Sequence, residues 1–214
     1  MKLSFVKRAL EAFVVLLAAG ISAESHATPI NPAISFTFLP NDLNAGQFSL
    51  GFTFTANTNI TVNQLAIFDD GTNEGSIHGV GIYDAQGNLL TSTDITQGTG
   101  LNDFFDWASI NPLSLAAGHQ YYIAEAVGTS RYTFANFPFM MVNPDITYIA
   151  SATTPTMSSV LAFPSFIQMQ AFGYFGPNFS VAVPEPESLP MFAIGLGLIG
   201  AFYFGRKRSI AAHG

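Results

Sequence analysis

One stretch of the sequence concentrates oxygen ligands: Asp69-Asp70-Gly71-Thr72-Asn73-Glu74. Calcium takes about six to eight oxygens, and carboxylates and amides around a glycine turn can supply several of them. Asp69, Asp70, Asn73 and Glu74 are therefore the candidate calcium ligands. The order departs from an EF-hand loop, and no flanking helices are expected. The competing reading is a solvated turn between strands, where Asp, Gly and Asn are favoured for backbone reasons. Calcium at this turn apart, the sequence implies no cofactor.

The remaining candidates are weaker. Asp103 and Asp106 flank Phe104 and Phe105, next to Trp107. Paired carboxylates can hydrolyse glycosides when they face each other across a suitable gap. Three residues apart in one strand, they point to opposite faces. His78 and His119 are the only histidines of the central region, and no serine elbow, zinc-binding helix motif or glycine-rich phosphate loop orders them into a catalytic set. Each reads as a polar residue at a strand end. Trp107, Tyr83, Tyr121, Tyr122 and Tyr132 are candidates for a sugar-stacking platform. In a chain with 21 phenylalanines, however, aromatic side chains more often form core. The absence of cysteine removes thiol catalysis, thiolate zinc sites and disulfides, so an exported domain must be held by its apolar interior alone.

Charge narrows the partners. Between residues 28 and 183 the only basic residue is Arg131, against Asp42, Asp69, Asp70, Glu74, Asp84, Asp94, Asp103, Asp106, Glu125 and Asp145. One positive charge against ten negative ones gives minus nine. Nucleic acid and anionic membrane surfaces need clustered Lys and Arg, so neither is expected as a partner. Divalent cations, cationic partners and neutral carbohydrate remain.

The elements that must position these residues are strands. Phe48–Thr55 and Ile60–Phe68 alternate apolar with small or polar residues, the period of a half-buried strand. Ile77–Tyr83 and Asn88–Thr93 are joined by a short polar connection containing Gly87, which reads as a hairpin turn. Phe104–Trp107, Gln120–Val127, Tyr132–Phe137 and Met169–Val183 continue the pattern. Strands at short intervals with turn residues between them predict an all-β fold, an antiparallel β-sandwich or jelly roll. The segment from about Asn136 to Ser165 carries Pro138, Pro144, Pro155 and Pro164 and is predicted to be a long loop or edge excursion. Its Phe137, Phe139, Met140 and Met141 are expected to pack as core.

Both ends have a different character. Lys2, Lys7 and Arg8 precede an apolar stretch from Ala12 to Ile21, and Ser25 and Ala27 form a small-x-small cleavage site. That is the grammar of a secretory signal peptide, and the apolar stretch is shorter than the roughly 20 residues a bilayer requires. At the other end, the extended acidic triplet Pro184-Glu185-Pro186 precedes an uncharged apolar stretch from Leu189 to Gly205 and the basic cluster Arg206-Lys207-Arg208. As a helix the apolar stretch would span roughly 25 Å, at the short end for crossing a membrane. The basic cluster reads as a stop-transfer signal left on the cytoplasmic side.

This tail resembles the PEP-CTERM sorting signal, in which a Pro-Glu-Pro motif, a transmembrane helix and an Arg-rich end form the substrate of an exosortase. The likeness rests on Pro184, Glu185 and Pro186, with Arg206, Lys207 and Arg208 at the expected distance. It implies export by a Gram-negative bacterium that makes exopolysaccharide, with recognition by the exosortase and cutting near the motif. The middle resembles DUF4082-type domains. There the likeness is carried by Ile60–Leu65, by His78–Leu90 and by Leu115–Ile123. It implies a β-sandwich and says little of activity.

The expected organisation is a signal peptide at 1–27, a β-sandwich extracellular domain at 28–182, the sorting signal with its single transmembrane helix at 183–208 and a short cytoplasmic tail at 209–214. The expected protein is non-enzymatic. It is anchored transiently in the inner membrane, processed by an exosortase, and then placed at the cell surface or in an extracellular matrix linked to exopolysaccharide or biofilm. A carbohydrate-binding or calcium-dependent adhesion module is the alternative, and a secreted hydrolase the third reading.

Overall fold

The structure is a computed structural model that describes residues 30–36, 41–43, 47–69, 71, 74–98, 101–102, 104–128, 131–136, 140–157, 160–168 and 172–182. Residues 1–30 and 31–214 form two units. The described residues, Ile30 apart, belong to the second. The segment read as a signal peptide, the Pro-Glu-Pro triplet, the apolar stretch read as a transmembrane helix and its basic end lie outside the described residues. Among the described residues no helix is long and apolar enough to cross a membrane.

The domain is all-β and its paired strands are antiparallel. A six-stranded sheet runs in the order β13 (Phe166–Gln168), β12 (Ile146–Thr153), β3 (Ser49–Ala56), β9 (Gln120–Ala126), β5 (Ile77–Asp84), β6 (Leu89–Thr96). A four-stranded sheet runs β15 (Pro177–Phe179), β4 (Ile60–Phe68), β8 (Phe105–Leu115), β7 (Leu101–Asn102). Two smaller sheets complete it: β14 (Phe172–Phe175), β10 (Arg131–Asn136) and β2 (Asn41–Leu43) form one, and β1 (Ile34–Phe36) with β11 (Met140–Val142) the other.

The six- and four-stranded sheets share one apolar core. Phe52 and Phe54 of β3, Val80 and Ile82 of β5 and Ile123 of β9 meet Ile60, Val62, Leu65 and Ile67 of β4, all at most 1 % exposed. The inward phase of β4 switches from even to odd positions, which an unbroken strand cannot do. A register shift between Val62 and Gln64 restores it. Pro112 of β8 lies in the same irregularity, where the ladder does not require its missing N–H. The predicted hairpin is present as well. Asp84 Oδ1 accepts hydrogen bonds from the Gln86 and Asn88 N–H groups, both at 2.9 Å, and Gly87 takes φ +86°.

One sequence expectation is corrected. The stretch predicted to be a long loop contains β12, eight residues paired with β3 on one side and β13 on the other. The proline rule bounds this strand and does not exclude it: Pro144 lies in the turn before it and Pro155 in the bend after it. Met140 is buried as expected, Met141 is 52 % exposed, and Phe137 and Phe139 lie outside the described residues.

The C-terminal end of the domain is tied down to its last described residue. Asn178 Nδ2 donates to the Ile34 carbonyl at 2.7 Å and its Oδ1 accepts from the Ile34 N–H at 3.2 Å. Val181 N–H donates to the Asn31 carbonyl at 2.7 Å. Ala182 and Thr61 exchange two main-chain hydrogen bonds, at 2.7 and 2.9 Å. Pro184 follows two residues later, so the start of the tail motif lies within about 7 Å of chain from the folded sheet.

Candidate functional site

Five inward-facing rows of the sandwich finish in a polar residue at the same end. On β9 the row Tyr121, Ile123 leads to Glu125; on β5, Ile82 and Val80 lead to His78; on β6, Ile95 leads to Gln97. On β4, Leu65 and Ile67 lead to Asp69, and on β8, Ile110 and Ala108 lead to Asp106. None of the five is more than 3 % exposed. Pairing places them together. Val80 is opposite Glu125, which makes His78 and Glu125 diagonal neighbours on one face. Ile67 is opposite Asp106, so Asp69 and Asp106 are related in the same way.

His78 Nδ1 is 3.0 Å from Glu125 Oε1, an ion pair sealed inside the larger sheet's inner face. Gln97 bridges the sheets: its Nε2 donates to Asp69 Oδ1 at 3.3 Å and to the Phe68 carbonyl at 3.4 Å. Gly71 N–H donates to Asp69 Oδ1 at 2.6 Å, and Gly98 N–H to Asp106 Oδ2 at 2.5 Å. Phe104 adopts φ +72°, uncommon for a bulky residue, and its carbonyl accepts the Asp69 N–H at 3.0 Å. Asp69 Oδ2, Gln97 Oε1 and Glu125 Oε2 are buried with no hydrogen-bond donor among the described residues.

The electrostatics follow from this burial. Burial raises the Asp69 pKa above the ordinary carboxylate value, the Gly71 hydrogen bond opposes the shift, and the neighbouring Asp106 carboxylate adds to it. For His78, burial disfavours the charged form. The hydrogen bond and charge of Glu125, helped by the Ala126 carbonyl and Gln97, outweigh this and raise its pKa. Burial raises Glu125 too, with His78 pulling the other way. Both partners are thus shifted toward holding a proton, and the pair retains one to higher pH than either group would alone.

Gly176 packs directly on this pair: a Cβ there would collide with Glu125 Oε2. Gly176→Ala should therefore push the carboxylate off His78 and destabilise the domain by about 1–3 kcal/mol. A urea midpoint equal to that of the wild type would contradict this packing.

Of the calcium ligands read from the sequence, Asp69 is in this cluster, Glu74 is exposed beside Gly98, and Asp70 and Asn73 lie outside the described residues. Among the described residues no group of three or more His, Asp or Glu converges as a metal site. Asp106 is buried in the cluster and Asp103 lies outside the described residues. His119 is exposed before β9. His78, read as a polar strand end, is the second residue of β5 and is buried against an acid. Among the described residues the aromatic candidates do not form an exposed strip. Tyr83 and Tyr122 are buried under Phe163, at ring distances of 5.6 and 4.9 Å, and burial pushes the Tyr83 hydroxyl up to about 12. Tyr121 is buried, Trp107 packs on Phe105 at 6.0 Å, and the Tyr132 side chain is outside the described residues. Sequence reasoning missed His78–Glu125 and Gln97 as a unit. The signal was a polar residue at the last inward position of each strand row.

The fold and the tail define an antiparallel all-β domain joined to an exported protein's sorting signal. Residues 182–208 match the PEP-CTERM protein-sorting motif, and residues 39–154, more than half of the chain, match DUF4082, a domain of unknown function. The chain belongs to the DUF4082 family. No curated protein and no solved structure matches it.

Proposed function

We propose that this protein is a non-enzymatic component of the cell surface or extracellular matrix, linked to exopolysaccharide or biofilm. It is held briefly in the inner membrane and is released or re-anchored once an exosortase acts near Pro184-Glu185-Pro186. The observation that carries this reading is the PEP-CTERM match at residues 182–208, which begins at Ala182, hydrogen-bonded to Thr61 of the sheet. Recognition of the motif takes place beside a folded edge, because the chain is hydrogen-bonded up to Ala182. The strongly acidic domain supports an extracellular partner without negative charge, such as neutral polysaccharide, and nucleic acid is not a partner. In support of a non-enzymatic role, the titratable groups that come together among the described residues are closed off from solvent.

Intact-mass measurement of the protein exported by its native host tests this. A C-terminus between Val183 and Ser188 is the expected result, and alanine at Pro184, Glu185 and Pro186 together should abolish it. A mass that retains Arg206–Gly214 would make the chain a permanently anchored membrane protein. The alternative, calcium-dependent adhesion, is favoured by one observation, the buried Asp69–Asp106 neighbourhood.

A further inference from the structure

We infer that the free edge of β13 is a self-association edge, where a second copy of this chain adds its own β13 antiparallel and joins the two six-stranded sheets. This inference goes beyond the sorting and surface assignment and does not rest on it. β13 is the outermost strand of the larger sheet, paired with β12 alone. The Thr154 N–H, one residue past β12, donates to the Ser49 carbonyl on the β3 side at 3.0 Å. Main-chain groups alternate in direction along a strand, so Thr153 and Ser151 face β13 and bond their partners Phe166 and Gln168. Ile167, between those two, therefore aims its N–H and C=O off the sheet, where a further strand would bond them.

Native edges are ordinarily guarded by charge, by proline or by a bulge that turns them away. This one is apolar on both faces: Phe166 is 53 % and Ile167 41 % exposed, on alternate sides of the strand. Val160 is exposed at the same end of the sheet, its carbonyl accepting from Ser49 Oγ at 3.4 Å. Charge is an independent observation. From Ile146 to Pro184 the chain has no Asp, Glu, Lys, Arg or His, and β3 is uncharged as well. The three strands at this edge thus carry no charge in a domain whose net charge is minus nine. Among the described residues the other outer strands of the two large sheets differ. β6 carries the exposed Asp94, β15 is buried, and β7 has only two residues.

An uncharged edge matters most to a partner that is itself strongly acidic, as a second copy is. It lets two such domains pair without setting carboxylates against each other at the contact. A two-fold axis through Ile167 places that residue opposite its counterpart, with two main-chain hydrogen bonds exchanged, and sets Phe166 opposite Gln168. Such an interface is closed at two copies. A bilayer holding the apolar stretch after Pro186 would lie at the other end of the domain. Ala182 bonds Thr61 beside the turn that joins β3 to β4, whereas β13 pairs with the half of β12 opposite Leu50–Phe52. The run of β3 from Gly51 to Ala56 separates the two levels, roughly 17 Å along the strand.

The test uses the full-length chain purified in detergent, with the protein mass measured by light scattering. Between about 1 and 100 µM the mass should rise from one chain to two. Higher salt should favour the dimer by screening the acidic domains from each other. Ile167→Lys sets two ammonium groups opposite each other. It should weaken dimerisation at least about tenfold, with the Tm of the dilute protein unchanged. The chain has no cysteine, so Ile167→Cys gives one thiol per copy. Opposite Cα atoms about 5.5 Å apart lie within disulfide range, so mild oxidation should cross-link this variant as a dimer. Ser92→Cys, exposed on β6, should not cross-link. Hydrogen exchange at the Ile167 amide should slow as the protein concentration rises.

A wild-type protein that stays monomeric throughout that range would overturn the proposal. So would a dimer unaffected by Ile167→Lys, which would place the contact in the apolar tail or on another surface. Exchange at Ile167 that is already slow in dilute protein would mean that lipid, detergent or another segment covers the edge, and would overturn it equally.

Discussion

His78→Leu should destabilise the domain by about 3–5 kcal/mol, and adding Glu125→Leu to it should recover most of that loss. The single substitution leaves a carboxylate 1 % exposed with no compensating charge, while the double one replaces a desolvated pair with apolar side chains. The pH dependence follows from the directions of the shifts. His78 has a raised folded-state pKa, so its stabilisation is complete below its ordinary value of 6.5 and fades as the pH climbs through the raised value. Glu125 is raised from 4.5 and acts with the same sign, since a folded state that holds extra protons loses stability as the pH increases. Asp69, raised from 3.8, contributes likewise at the acidic end. The wild-type protein should therefore unfold at lower urea at pH 9 than at pH 6. The double variant should lose the part of that slope contributed by the pair. Equal stability losses in the single and double variants would show that the two side chains are not paired.

Much of this fold was legible because the strands alternate. Ile60–Phe68 and Ile77–Tyr83 are strands at nearly the bounds the pattern implies, and Asp84–Asn88 is the hairpin its residue types demand. The phase switch in β4 was harder, because only tertiary pairing reveals that Asn63 and Pro112 lie at one irregularity. β12 was hidden by prolines that mark its ends, which a rule about strand interiors does not distinguish from prolines within a strand. The polar cluster was illegible for a similar reason. Asp69, His78, Gln97, Asp106 and Glu125 come from five strands or strand ends and meet only when two sheets close over one core. The turn residues after Asp69 drew attention in the sequence because they are contiguous, whereas Asp106 is adjacent only through the β4–β8 ladder.

Phe54→Ala should cost about 3–5 kcal/mol, the second of the two largest effects. Phe54 is fully buried at the meeting of the sheets, with ring distances of 4.8 Å to Phe179, 5.9 Å to Tyr121 and 6.0 Å to Phe52. Its loss removes apolar area from the core and leaves a cavity between rigid ladders that cannot collapse far, since β3 is paired on both sides. With no disulfide to limit the unfolded chain, nothing offsets that loss. Phe54→Leu should lose appreciably less, and Ile77→Ala, at a side chain 70 % exposed, should stay within about 0.5 kcal/mol. Urea midpoints at constant slope measure all three, and a Phe54→Ala loss below about 1 kcal/mol would contradict a shared core between the sheets. The consequence reaches the tail because Phe179 lies on β15, three residues before the Ala182–Thr61 hydrogen bonds and five before Pro184. Loosening that strand should raise protease cleavage within 177–182 and lengthen the free chain ahead of the sorting motif.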